Sequence, residues 1–365
     1  MPLSTSSSEP TAVAEVLFER PLPLLGRAPW LALLIAVLLM VGWETWVRAQ
    51  GVTPGYRNSD ELWAEQRRRI DRGEGDGVVI IGSSRALFDI QLGVWEQLAG
   101  RRPIQLALEG TSPVGVLEDL AADPKFTGTL LVGVAPGLFF SGYEYRHDAF
   151  ANFRKETPAQ WSGQRLSMLI EPWLAFYDFD FALPAVLRRQ PLHNRDGVPF
   201  RIAVRKLSNM GRDRNSRLWD KLVDDPDYQQ LARRIWAQDW RPLAEEPEPK
   251  RKHILEARGK QIERAVAAAR QLQARGVAVI FAQMPYAGHY AISEPDIAPR
   301  ALTWDPLIAQ SGAIGLHFQD HPEMQGYTLP EWSHMSGPEA DRFTAALYPL
   351  IQGQLAARKT VGAAR

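Results

Sequence analysis

The chain has 365 residues, of which 45% are hydrophobic and 23% charged, so it is long enough to bury a sizeable core. Its 42 basic and 42 acidic residues leave no formal net charge, and nothing in this balance favours nucleic acid as a partner. It contains no cysteine, which excludes disulfides, thiol catalysis and thiolate metal sites.

The N-terminal region predicts a membrane anchor. Residues 1–27 are rich in Ser, Thr, Pro, Ala and Glu, which predicts a disordered tail, and we expect that tail in the cytoplasm. Residues 28–48 are long and apolar enough to cross a bilayer as one helix, with Trp30, Trp43 and Trp46 near the two interfaces. A cleaved signal peptide is the alternative. We favour an uncleaved anchor in the inner (cytoplasmic) membrane, with the main domain periplasmic or extracellular.

Beyond a connector at residues 49–76, short β-branched runs alternate with helical patterns. The predicted elements are, in chain order, strand 77–81, helix 86–98, strand 104–108, helix 113–122, strand 129–134, helix 251–275, strand 277–281, strand 314–318 and a last helix from 337 to about 356. This alternation predicts an α/β domain, made of residues 77–137 and 251–365, with a mostly parallel sheet covered on both faces. The active site of such a sheet gathers at the carboxyl ends of its strands.

Residues 138–250 are too long for a connection and predict an aromatic-rich, mostly helical insertion. Two interpretations stay open: a cap with its own core, or a lid whose aromatic faces stack on sugar rings. Six basic residues crowd one part of the insertion and predict a solvated face or a contact with an anionic polymer or lipid headgroup: Arg201, Arg205, Lys206, Arg212, Arg214 and Arg217.

Two short motifs carry the predicted chemistry. The first predicted strand ends at a glycine followed by two serines, Gly82–Ser84, and an acid-x-x-His motif, Glu331–His334, precedes the last helix. A serine hydroxyl becomes a nucleophile when an adjacent base takes its proton and an acid orients that base. At a strand-to-helix turn, backbone N–H groups also point outward and can hold an oxyanion. The motifs therefore predict Ser84 as nucleophile, His334 as base and Glu331 as orienting acid.

Alternatives remain for each role. Ser84 is also suited to capping a helix, and Ser83 is the alternative nucleophile. Asp320 is a rival acid, because it follows the last predicted strand. His317 and His321 flank Asp320, but side chains at a strand end do not converge on a metal as they do on one face of a helix. We therefore expect no metal and no cofactor.

The order of these motifs resembles that of the SGNH (GDSL-type) hydrolase superfamily, whose blocks read G-D-S after the first strand and D-x-x-H near the C-terminus. Gly82–Ser84 matches the first block with serine in place of aspartate, and Glu331–His334 matches the last with glutamate in place of aspartate. Gly110 falls where the family has its second oxyanion glycine, so the resemblance implies the N–H groups of Ser84 and Gly110 as oxyanion donors. Gly133–Pro136 stands where the third block, G-x-N-D, is expected, and it has no asparagine.

The resemblance implies a three-layer α/β/α, flavodoxin-like fold. The I-G-S-S-R form and the N-terminal anchor resemble the exported bacterial branch, which includes alginate O-acetylation proteins and the D-alanyl transfer protein of teichoic acid modification. It implies an extracytoplasmic serine O-acyltransferase or esterase acting on a cell-envelope polysaccharide beside a membrane-bound O-acyltransferase. The alternative is a catalytically degenerate binding or scaffold protein for such a glycan or partner, because the asparagine is missing and the acid is changed.

Overall fold

The structure, a computed structural model, describes residues 26–189, 206–238 and 240–363. Most of the predicted disordered tail lies outside the described residues, as do Arg201 and Arg205 of the basic run. The chain divides into two compact units, Met1–Trp46 and Val47–Arg365.

The N-terminal apolar run forms a single helix, α1, at Ala28–Ala49. The helix has 22 residues and its most apolar 18-residue stretch has a mean hydropathy of 1.9, so it is long and apolar enough to cross a membrane. At about 1.5 Å per residue such a helix reaches roughly 33 Å, close to the thickness of a bilayer's hydrocarbon core. The predicted helix is confirmed, and a signal sequence near an N-terminus would have the same length and composition.

Five strands form a parallel sheet in the order β2-β1-β3-β6-β7. The strands of the described residues are β1 Val78–Ile81, β2 Ile104–Gln105, β3 Thr129–Val134, β4 Ser208–Met210, β5 Ser216–Leu218, β6 Ala278–Gln283 and β7 Ile314–His317. β4 and β5 form a separate antiparallel hairpin within the insertion. The predicted α/β architecture with a mostly parallel sheet is confirmed.

Helices surround the sheet. Those that follow α1 are α2 Asp60–Arg69, α3 Ser84–Asp89, α4 Leu92–Ala99, α5 Val114–Ala122, α6 Pro136–Phe139, α7 Asp148–Lys155, α8 Pro158–Ile170, α9 Leu183–Arg188, α10 Lys221–Asp224, α11 Pro226–Ala237, α12 Glu248–Ala274, α13 Tyr290–Ile297, α14 Trp304–Ser311 and α15 Gly337–Ala363. A π-helical turn, Ile70–Glu74, extends α2.

The sheet has a separate hydrophobic core on each face. Successive residues of a strand point to opposite faces, so Val79 and Ile81 belong to one core while Ile80 belongs to the other. The first core also contains side chains of α5 and α12, and the second contains side chains of α3, α4 and α15. Both faces of the sheet are therefore covered by helices, which explains why the strands read as continuous apolar runs.

The predicted helix 86–98 is two helices in the structure, because long-range hydrogen bonds replace the helical ones between them. Ile90 has extended backbone angles, and the Gln91 amide donates to Thr344 Oγ1 at 2.8 Å. The Leu92 amide donates to Asn215 Oδ1 at 2.7 Å. Both acceptors lie more than a hundred residues away in sequence, so a local pattern does not reveal the break.

The insertion and the connector contribute to the main unit's interior. Arg214, predicted on a solvated face, is fully buried and donates to Ala107 O and Asn58 Oδ1, each at 2.6 Å. Burial lowers the pKa of Arg214 to about 10. In the connector, Trp63 is fully buried and its indole N–H donates to Leu106 O at 3.0 Å. The solvated interpretation of the basic run is therefore wrong for Arg214, and also for Lys206, which is buried against Asp178.

Candidate active site

The structure brings Ser84, His334 and Glu331 into one hydrogen-bonded chain. Ser84 Oγ lies 2.7 Å from His334 Nε2. On the other side of the ring, His334 Nδ1 lies 2.8 Å from Glu331 Oε1. With Glu331 ionised, His334 Nδ1 carries a proton and donates a hydrogen bond to Glu331. Nε2 is then unprotonated and accepts the hydrogen bond from the Ser84 hydroxyl. These are the contacts that a nucleophile, a base and an orienting acid require.

A close turn between β1 and α3 places the serine at the sheet edge. Gly82, between the two elements, has φ of +153°. A Cβ atom at this position would lie 2.5 Å from the Ala86 Cβ, a clash that any other residue would suffer. Ser84 is the first residue of α3, so its hydroxyl is at the carboxyl end of β1. The glycine therefore allows the helix to start directly beside the strand end.

The acid and the base share a short loop before α15. Glu331 Oε1 also accepts the backbone N–H of His334 at 2.6 Å, which fixes the loop across three residues. Trp332, inside this loop, has φ of +74°, a backbone conformation that residues other than glycine rarely adopt. Phe88 packs against the His334 ring with centroids 4.6 Å apart. Carboxylate and phenyl ring together hold the imidazole towards Ser84.

The Glu331 carboxylate stays ionised in a buried place. Its side chain is fully buried, which alone would raise its pKa. The attraction of His334 and hydrogen bonds from the His334 ring, the His334 amide and the Trp236 indole outweigh burial, so the pKa lies below its ordinary value. The Trp236 indole N–H donates to Glu331 Oε2, the oxygen that His334 leaves free. Trp236 belongs to α11, so the insertion completes the surroundings of the acid.

A buried ion pair ties three parts of the site together. Arg85, next to Ser84, donates from Nη2 to Glu294 Oε1 at 2.9 Å and from Nε to Ser333 Oγ at 3.2 Å. The other oxygen of Glu294 accepts the Gly137 amide at 2.6 Å. The ends of β1 and β3, the helix α13 and the histidine loop are thereby connected. Arg85 had no predicted role, and its partners lie too far along the chain for a local motif to indicate them.

A second buried carboxyl group lies behind the histidine. Asp89, at the end of α3, is fully buried; Oδ1 accepts the Met335 amide at 2.9 Å, and Oδ2 has no hydrogen-bond partner. Burial raises its pKa to about 7, against the attraction of His334. Asp89 therefore holds its proton far more strongly than Glu331 does, although both carboxyl groups are buried.

The predicted oxyanion groups lie at the same end of the sheet. Gly110 follows β2 in a left-handed turn with φ of +63°. Leu108, two residues earlier, donates its amide to Gly82 O at 2.9 Å, which holds this loop against the nucleophile turn. The Gly137 amide, beside the position of the family's third block, is already bonded to Glu294. Its role as an oxyanion donor would require Glu294 to move.

The rival residues have other surroundings. Ser83 Oγ is buried without a hydrogen-bond partner, whereas Ser84 Oγ contacts His334. Asp320 accepts two hydrogen bonds from Arg300, both at 2.7 Å. Burial lowers the pKa of His317 to about 4. Among the described residues, no three His, Asp or Glu side chains group as a metal site.

A cleft of about 640 Å³ lies within the main unit, and because most of its lining residues are polar we call it the polar cleft. Phe88, which packs on the His334 ring, is one of its lining residues, as is Glu109 from the loop before Gly110. The connector and the insertion supply other walls, including Tyr56 and Phe179. Aromatic edges and charged side chains in one cleft are suited to a hydroxyl-rich ligand. This observation supports the interpretation of the insertion as part of a lid.

A scan against models of known protein families finds no match for the chain, and a search of curated proteins finds none either.

Proposed function

We propose that the chain is a membrane-anchored, extracytoplasmic serine O-acyltransferase or esterase of the SGNH type, acting on a cell-envelope polysaccharide. One observation carries the proposal: Ser84 Oγ is 2.7 Å from His334 Nε2 while His334 Nδ1 is 2.8 Å from a buried, ionised Glu331. A scaffold with no catalytic role has no need to keep a charged carboxylate buried against a histidine, since burying a charge is costly unless it is paired.

The fold supports the family assignment. With the hairpin strands left out, the sheet order is 2-1-3-4-5, the order of flavodoxin-like doubly wound sheets. Ligands of such sheets bind where the strand order reverses, between the carboxyl ends of the first and third strands. Ser84 follows β1 and Gly137 follows β3, so the triad lies at this point. Helices on both faces fit the three-layer arrangement that the resemblance implies.

In the proposed reaction, Ser84 Oγ attacks the acyl carbonyl as His334 Nε2 takes the hydroxyl proton. The N–H groups of Ser84 and Gly110 hold the oxyanion. His334 then gives the proton to the leaving group, and an acyl-serine forms. A sugar hydroxyl or water, deprotonated by His334, then attacks the acyl-serine. The bond between Ser84 Oγ and the acyl carbon breaks, the acylated acceptor or free acid leaves, and His334 returns the proton to Ser84 Oγ. Glu331 stabilises the imidazolium in both halves of the reaction. No metal or cofactor takes part.

The partners of this reaction are also proposals. We place α1 as an uncleaved span of the inner membrane, with a membrane-bound O-acyltransferase as the protein that supplies acyl groups. The cleft beside Phe88 is the proposed site for the acceptor glycan, because its lining is polar and partly aromatic and includes the ring that packs on His334.

Turnover of a small acetyl ester by the full chain in detergent tests the proposal. Ser84→Ala removes the nucleophile, whereas Ser83→Ala removes a neighbouring hydroxyl that has no partner. We expect the first variant to be inactive and the second to retain activity. Loss of turnover only in Ser83→Ala would move the nucleophile to Ser83. Undiminished function with both serines replaced would support the scaffold alternative.

A further inference from the structure

The insertion carries an exposed apolar surface. Between residues 166 and 187, six large apolar side chains expose at least 50% of their area: Leu166, Leu169, Trp173, Phe179, Leu183 and Leu187. We call these six side chains the 166–187 surface. Single exposed apolar side chains are normal, but a group of this size in one short segment marks an interaction site.

Sequence spacing shows that this exposure is organised. Leu166, Leu169 and Trp173 recur at intervals of three and four residues along α8 and the turn after it, so they share one face. The buried residues of the same stretch, Gln164 and Met168, lie on the other face and hold the helix to the protein. The exposed face is therefore the outward face of a well-packed helix.

The chain leaves its apolar helix beside this surface. Val47, which directly follows the N-terminal unit, is fully buried in the main unit. The next residue, Arg48, donates from Nη2 to the carbonyl oxygen of Trp173 at 3.1 Å. If residues 28–46 cross a bilayer, Arg48 lies at the surface of that bilayer. Trp173, one hydrogen bond away, then lies at the same surface.

We propose that the 166–187 surface docks on the lipid bilayer that α1 spans, with Trp173 at headgroup level and the leucines in contact with acyl chains. Tryptophan and leucine on one face of α8 and the turn after it, with the exposed Arg188 nearby to meet lipid phosphates, are the composition of interfacial helices. The proposal rests on the anchored topology of the proposed function and is independent of its chemistry.

Docking has a consequence for the site. Phe179 belongs to the 166–187 surface and also lines the polar cleft. Phe88, at another wall of that cleft, packs on His334. One wall of the cleft therefore belongs to the docked surface, and another wall contacts the His334 ring.

Because the chain contains no cysteine, each introduced cysteine is the single site at which a spin label attaches. Leu169→Cys and Leu187→Cys in the full chain receive a nitroxide and are placed in nanodiscs of phosphatidylethanolamine and phosphatidylglycerol. Leu98→Cys and Leu302→Cys are matched controls, since these leucines are also exposed but belong to other parts of the main unit. Leu34→Cys reports on the span. Power saturation then measures collisions with oxygen, which enters lipid, and with a water-soluble nickel chelate.

We expect the ratio of oxygen to nickel collisions at positions 169 and 187 to exceed that at 98 and 302 several-fold, and position 34 to show the highest ratio. Nickel access at 169 and 187 equal to that at 98 and 302 would overturn the proposal. So would exclusion of both reagents, which would indicate that protein covers the surface. Nickel access at position 34 would remove the anchored topology and the proposal with it, while ester turnover would still test the chemistry separately.

Discussion

Two regions near the end of the chain each combine a histidine with an acid, and they differ in what the acid contacts. In the loop before α15, Glu331 is fully buried and its carboxylate contacts His334. After β7, Asp320 is close in sequence to two histidines, but it is held by Arg300 with two bonds of 2.7 Å. A carboxylate whose charge is neutralised by a guanidinium has little left to stabilise an imidazolium.

The comparison shows how an acid bonded to a histidine differs from an acid bonded to a cation. Glu331 receives hydrogen bonds from neutral donors and from the histidine, so its negative charge is directed at the ring. Asp320 lies at an exposed ion pair, where side chains expose 38% and 46% of their area. The motif alone leaves both acids as candidates, and the cation beside Asp320 decides between them.

Breaking the catalytic region at its centre has the largest expected effect. Ser84→Ala and His334→Ala should each lower turnover by about 10⁴- to 10⁶-fold, because the two groups act as one unit. The double variant should be little slower than either single one. Steady-state rates on a small acetyl ester measure this, with thermal unfolding as a check that Ser84→Ala changes stability by less than about 1 kcal/mol. His334→Ala should lose more stability than that, because it leaves the buried Glu331 carboxylate without its partner. Losses that multiply in the double variant would contradict a shared mechanism.

Exchanging the acids tests the comparison directly. Glu331→Gln should lower turnover by roughly 10²- to 10⁴-fold, since a neutral amide cannot stabilise the imidazolium. The matched variant Asp320→Asn should leave turnover nearly unchanged and cost at most about 1 kcal/mol, as an exposed ion pair contributes little. The same ester assay and unfolding curves decide the matter. A larger loss of turnover for Asp320→Asn than for Glu331→Gln would reverse the assignment.

A smaller effect is expected from the insertion's contact with the acid. Trp236→Phe keeps an aromatic ring but removes the N–H donated to Glu331, and a hydrogen bond to a charged group is worth about 1.5 kcal/mol, or roughly tenfold in rate. Loss of this donor raises the pKa of Glu331. On acidification, the variant should therefore lose activity at a higher pH than the wild type. Rates measured across pH give both quantities.

Trp240→Phe is the control for this variant. The Trp240 indole N–H is buried without a hydrogen-bond partner, so its removal costs no bond. Equal rate losses and equal acid limbs in the two variants would indicate that Trp236 acts by packing alone.

Asp89→Asn should have the smallest effect on turnover, but it should measurably change how stability depends on pH. Its pKa in the folded chain is raised from 3.8 to about 7, so the folded state binds the proton more tightly than the unfolded state. The stability that this proton supplies is fully present below the unfolded pKa and is lost as pH rises through about 7. Asp89→Asn, which cannot ionise, should remove that loss.

Melting temperatures of the wild type and of Asp89→Asn at about pH 5 and about pH 8 measure this difference. We expect the wild type to lose more stability than the variant over this interval, by on the order of a few kcal/mol. Parallel changes in the two proteins would show that Asp89 does not titrate there.

Local patterns were sufficient to predict the central sheet and to select the three residues that the structure brings into one hydrogen-bonded chain. The third strand was predicted at 129–134, and β3 has these bounds, with Gly128 before it and Pro136 after it. Gly82, Ser84 and the acid-x-x-His loop are short motifs whose geometry depends on close neighbours. Asp320 remained a rival only because its partner, Arg300, lies twenty residues away.

The supporting contacts were not predictable, since they join distant segments. The Trp236 contact with Glu331 spans 95 residues, and Arg85 meets Glu294 across 209. Aromatic content indicated that the insertion mattered, but it pointed to sugar stacking and gave no sign of an indole bonded to the acid. The burial of Arg214 was also not predictable from local sequence, because a run of basic residues predicts a solvated face even where members of the run are buried.

Covalent labelling tests the central claim most directly. A fluorophosphonate reacts with a serine only when a base activates its hydroxyl and donors hold the charged oxygen. Intact mass and peptide mapping of the full chain after exposure to the reagent should show one adduct, on Ser84, with none in Ser84→Ala or His334→Ala and a normal adduct in Ser83→Ala. A wild-type chain that stays unlabelled, or an adduct that persists in His334→Ala, would contradict the Ser84–His334–Glu331 mechanism.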